Sequence, residues 1–61
     1  MWLLVVYLFL PGGTVQIERY ENLNAFSECM DLGVKQSEEI WNKHDKKGAA
    51  SFQCIDKSYV P

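Results

Sequence analysis

The chain has 61 residues, 48% of them hydrophobic and 23% charged, with a formal net charge of −2. The composition excludes a disordered polar segment, the length (residues 1–61) excludes more than one small domain, and the acidic balance excludes the concentrated basic face that general nucleic-acid binding needs. A chain this short buries only about 60% of the surface its unfolded form exposes, so a covalent staple or a second subunit is expected.

The first predicted element is a strand over 2–10, WLLVVYLFL, an unbroken apolar run. It is too short to cross a bilayer as a helix, which takes about 20 residues. Its β-branched and aromatic residues, and the turn signal Pro11-Gly12-Gly13 over 11–13, predict one arm of a β-hairpin, buried on both faces. The second arm spans 14–20. Proline followed by two glycines fits a type I turn with a bulge residue. In that register Leu10 opposes Thr14, Phe9 opposes Val15 and Tyr7 opposes Ile17. Leu3, Val5, Tyr7 and Phe9 then share a face with Val15 and Ile17. Trp2, Leu4, Val6 and Leu8 share the other face with Gln16, Glu18 and Tyr20.

The same apolar run has the length of a signal-peptide core. The alternative reading is therefore a membrane-associated or exported protein with residues 1–10 as anchor or signal. No Lys or Arg precedes the run and no A-x-A-like site follows it, which favours the strand.

A helix is predicted over 22–46, capped by Asn22 or Asn24. Leu23, Phe26, Met30, Val34, Ile40, Trp41 and His44 recur at helical spacing and define the expected core stripe, with Cys29 at its margin. Glu28, Asp31, Lys35, Glu38, Glu39, Asn42 and Lys43 form the solvated face, with Asp31–Lys35 and Glu39–Lys43 as i,i+4 pairs. Lys43, His44, Lys46 and Lys47 suit the negative end of the helix dipole, and Gly48 stops the helix. Gly33 and Ser37 interrupt the stripe with small residues. That predicts a close approach of the helix to a bulky Tyr7 or Phe9.

The last strand is predicted over 51–58, with Phe52 and Cys54 on one face and Gln53 and Ile55 on the other. Val60-Pro61 is a tail. The helix returns the chain so that the third strand runs antiparallel to the first, and the most apolar strand belongs in the middle. The expected fold is therefore α+β of ββαβ order, a three-stranded antiparallel sheet (order 2-1-3) with one amphipathic helix on one face.

Cys29 and Cys54 both point toward the helix–sheet interface in this layout. A disulfide between them closes a loop of about 26 residues and contributes about 3–4 kcal/mol; it is favoured over two buried free thiols. The disulfide belongs in an oxidising compartment or a virion, and free thiols in a host cytoplasm. A zinc site from Cys29, Cys54, His44 and Asp56 is excluded, since Cys29 and His44 lie about 22 Å apart along a helix axis. Ser27, Ser37, Ser51 and Ser58 accompany a single histidine with no elbow motif, and Gly12-Gly13 precedes no helix. No catalytic, cofactor-binding or metal-binding residue is expected, no cofactor, and no enzyme.

One helix covers one sheet face. Trp2, Leu4, Val6, Leu8 and Ile55 are expected on the other, as a self-association face serving a homo-oligomer, first of all a dimer. The expected partners are a second copy and another protein, with no nucleic acid; a membrane enters through the alternative reading of residues 1–10 as an anchor.

The Trp2-led apolar strand, the Pro11-Gly12-Gly13 turn, Phe26 with Cys29, and Cys54 in the last strand form a layout that loosely resembles small uncharacterised proteins of phages and bacteria. The resemblance implies no activity. It does imply a viral accessory protein that binds a host or viral protein.

Overall fold

The elements are β1 (Trp2–Phe9), β2 (Val15–Leu23), α1 (Phe26–Lys43) and β3 (Ala49–Asp56), closed by a 3-10 turn at Lys57–Tyr59. They come from a computed structural model that describes residues 1–59; the tail at 60–61 lies outside the described residues. The strands form one antiparallel sheet in the order β2-β1-β3, with α1 packed against it, as the layout predicts. The most apolar strand is central because only there is it flanked by a strand on each side.

The hairpin holds the expected register, with Tyr7 opposite Ile17 and Phe9 opposite Val15. The turn differs in type. Gly13 N–H donates to Leu10 O at 3.3 Å, and Gly12, at the third position, has φ of 94°. Proline followed by a residue at positive φ is a type II turn, not type I.

Asn22 and Leu23 belong to β2 and not to the helix. Leu4 pairs with Tyr20 but Trp2 pairs with Leu23, so β2 carries one extra residue near Asn22, whose φ is 64°. This bulge reverses the alternation, and Leu23 turns into the core. The helix therefore starts later, at Phe26, with Ala25 as an N-cap that makes no side-chain bond. Asn24 N–H donates instead to Glu28 Oε2 at 3.3 Å. The helix also stops earlier than 46. Asp45 and Lys46 adopt positive φ, and Lys46 N–H returns to Trp41 O at 2.9 Å. Among the described residues the ion pair formed is Glu21–Lys57 at 3.4 Å; the helical pairs Asp31–Lys35 and Glu39–Lys43 do not close.

The larger correction concerns which faces meet. Leu4, Val6 and Leu8 are fully buried with Cys29, Leu23 and Ile40, and Trp2 packs at the margin of that cluster. These β1 residues face the helix, where an uncovered face was expected. The β1–β3 register decides this. Leu4 lies opposite Cys54 and Val6 opposite Phe52, so the helix that is bonded to Cys54 must cover the even-numbered side of β1. Val15 and Ile17 do share a face with Tyr7 and Phe9, and that face is the one without a helix.

The helix is also rotated from its expected setting. Cys29, Gly33 and Ile40 are its buried residues, while Phe26, Met30 and Val34 are exposed. At 3.6 residues per turn the two sets are about 80° apart. The disulfide and Gly33 fix the rotation. A side chain at Gly33 would run into the Phe52 ring, so the backbone at Gly33, with no side chain, packs against β3. The bulky partner of the small helix residue is Phe52 and not Tyr7 or Phe9.

Candidate interaction surface

Cys29 and Cys54 are joined in a disulfide, with Cα atoms 6.1 Å apart. It ties α1 to β3 at the far end of that strand. Gly33 lies against Phe52 in the middle, and Trp41 Nε1 donates to Gly48 O at 3.3 Å where β3 begins. Three ties in order along both elements mean that α1 tracks β3 over its whole length. The helix packs on β1 and β3 alike and barely reaches β2. Gln16 and Glu18 on the helix side of β2 are accordingly exposed.

Two apolar surfaces remain among the described residues. The first is the helix-free sheet face, formed by the odd-numbered residues of β1 with their neighbours. Leu3 and Val5 are shielded there although no helix covers them; Val5 lies between Arg19 and Gln53, and Leu3 beside Ile55. Long flanking side chains shade the central row. Exposure is concentrated at the hairpin end, where Phe9, Val15 and Ile17 are 47%, 44% and 57% exposed. The Tyr7 and Phe9 rings stack at 6.1 Å beside them. Of the expected self-association residues only Ile55 lies on this face; Trp2, Leu4, Val6 and Leu8 do not.

The second surface was not anticipated. Phe26, Met30 and Val34, spaced i, i+4, i+8, are 50%, 39% and 49% exposed along one flank of α1. Helical periodicity finds this stripe but assigns it to the core. Only the register of β3 and the disulfide turn it outward. The flank lies on the side away from β2, since Gln36 on the other side meets the Tyr20 hydroxyl at 3.1 Å. Met30 and Val34 therefore lie on the β3 side of the helix, while the Phe26 ring, half-exposed, packs 4.9 Å from the Trp2 ring of β1. The free edge of the sheet on that side is β3. That edge runs Ala49–Asp56 in unbroken register with β1 and carries no charge before Asp56. The β2 edge is different: Glu18, Arg19 and Glu21 and a bulge interrupt it.

No family model, curated protein or solved structure matches the chain.

The Tyr20 hydroxyl sits 2.7 Å from Glu18 Oε2, and that hydrogen bond, with partial burial, pushes the phenol up to about 12. Ser58 donates from its hydroxyl and its N–H to Asp56 Oδ1, and these bonds hold the carboxyl below its usual range. Lys46 Nζ lies 5.9 Å from the centre of the Trp41 ring. His44 is the C-cap of α1, far from the disulfide. Among the described residues no three His, Cys, Asp or Glu side chains gather as a metal site, and no helix is long and apolar enough to cross a membrane.

Proposed function

We propose that this chain acts by binding, as a small self-associating structural or interaction protein, and not as an enzyme. One observation carries the reading: large apolar side chains stay exposed in contiguous rows on a chain that has already closed its core and its disulfide. Patches of this kind on a small domain mark protein contacts. The disulfide supports an oxidising setting, such as an extracellular space or a virion. The loose resemblance of the sequence layout to small phage and bacterial proteins is what supports a viral accessory role with a host or viral protein as the second partner.

Sedimentation equilibrium from about 1 μM to about 1 mM, the span from ordinary to weak association, tests the reading. The expected result is a mass that rises from the 7.0 kDa of one chain to at least twice that value. A single-chain mass across the whole range overturns it.

A further inference from the structure

We infer that a second copy of this chain docks along the free edge of β3 and the Met30–Val34 flank of α1, by antiparallel β3–β3 pairing about a twofold axis. This rests on the self-association proposed above and assigns its surface.

The edge itself is the first ground. Sheet edges that stay unpaired are blunted by charges, prolines or bulges. β2 has charges and a bulge, whereas Ala49–Ile55 has none of the three. The pairing is also self-consistent. In a twofold antiparallel pair, residues opposite one another share a face, so the axis falls on a residue: at Phe52, with 49–55 overlapping, or at Gln53, with 50–56 overlapping. Both helices then lie on the same side of one six-stranded sheet and run antiparallel.

The helix spacing is the second ground. Because α1 sits over β1 and β3 alike, each helix axis lies about half a strand spacing inside its own β3. The two axes are then two strand spacings apart, about 9.5 Å. Packed helices sit about 8–10 Å apart. No adjustment is needed to bring the two apolar flanks into contact. Gly33, level with Phe52, lies between Met30 and Val34. Met30 of one copy therefore falls opposite Val34 of the other, twice per dimer.

The area suffices. Eight residues of strand are about 26 Å long, and a wall of sheet plus helix about 20 Å high gives about 500 Å² per copy, or about 1,000 Å² in total. That is the lower bound for a specific interface. The helix-free face is the poorer dimer surface. Arg19, Glu21, Ser51 and Gln53 break it up, and its best apolar residues crowd at one end. In the paired sheet the two helix-free faces join into one platform, left free for a different partner.

The test compares the oxidised full-length wild type with Met30→Glu, Val34→Lys and Ile17→Lys by sedimentation, each alone, and with an equimolar mixture of the first two. The wild type is expected to dimerise. Met30→Glu and Val34→Lys each weaken the dimer about a hundredfold or more, because each places two charges in the apolar contact. Their mixture restores it, since the new carboxylate of one copy faces the new ammonium of the other. Ile17→Lys stays dimeric. A wild type that is monomeric throughout overturns the self-association reading and this inference with it. A dimer that survives both helix-flank variants overturns the edge assignment alone, and its loss in Ile17→Lys would move the interface to the helix-free face. Variants that are monomeric both alone and in the mixture overturn the antiparallel Met30–Val34 register.

Discussion

The Phe52 ring occupies the space that a side chain on Gly33 would fill, so this pair sets how closely α1 lies on β3. A glycine inside a helix costs about 1 kcal/mol relative to alanine, yet here it stands at a buried position. Gly33→Ala should therefore destabilise the fold. The overpacking cost of about 1–3 kcal/mol outweighs the propensity gain. Urea unfolding of Gly33→Ala, Phe52→Ala and the double variant measures the coupling. In the Phe52→Ala background the Gly33→Ala change should turn neutral or stabilising.

The disulfide spans 25 residues of sequence and joins the first turn of the helix to an edge strand. Replacing both cysteines by alanine should lower stability by about 3.5 kcal/mol through the loop entropy returned to the unfolded chain. For a domain this small that is a large share of its total stability. Thermal melts of the wild type with and without reductant should differ strongly, while the double variant should not respond to reductant.

Asn22 holds the bulge that turns Leu23 inward, and it does so at φ of 64°. Glycine takes that conformation freely, whereas a β-branched residue is strained there. Asn22→Gly should leave the melting temperature near the wild-type value. Asn22→Val should cost about 1–3 kcal/mol. Equal melting temperatures for the two variants would remove the conformational account of the bulge.

Tyr20 links β2 to α1 through its hydroxyl, which lies close to Glu18 and Gln36. Its phenol is raised from 10.0 to about 12, chiefly by the hydrogen bond to Glu18. The folded state thus favours the protonated phenol. Its contribution to stability is present below pH 10 and fades as the pH climbs through about 12. Phenolate absorbance should include a step near pH 12 that Tyr20→Phe abolishes. Glu18→Gln should shift it back toward the ordinary value.

Much of the architecture was legible because it depends on local pattern. The apolar run 2–10, the Pro-Gly-Gly break and the helical spacing of the middle segment specify the elements, their order and the central place of β1. The two cysteines fall where those elements bring them together. The bulge at Asn22 was not legible, since an asparagine beside Leu23 reads equally as a helix cap. Nor was the outward turn of Phe26, Met30 and Val34, because an amphipathic stripe shows only which residues share a side.

From local pattern, turn chemistry and connectivity follow the ββαβ order, the sheet order 2-1-3 and the hairpin register, with a disulfide between Cys29 and Cys54 favoured over two free thiols. The face of β1 under the helix and the flank of α1 left in solvent depended on tertiary structure. Both faces of β1 are apolar, so either could have been buried. The choice was made by a nonlocal register, Leu4 opposite Cys54, and by the fit of Phe52 against Gly33. A one-residue change in strand pairing exchanges every side chain between faces, and no count of hydrophobic residues within one segment reports it.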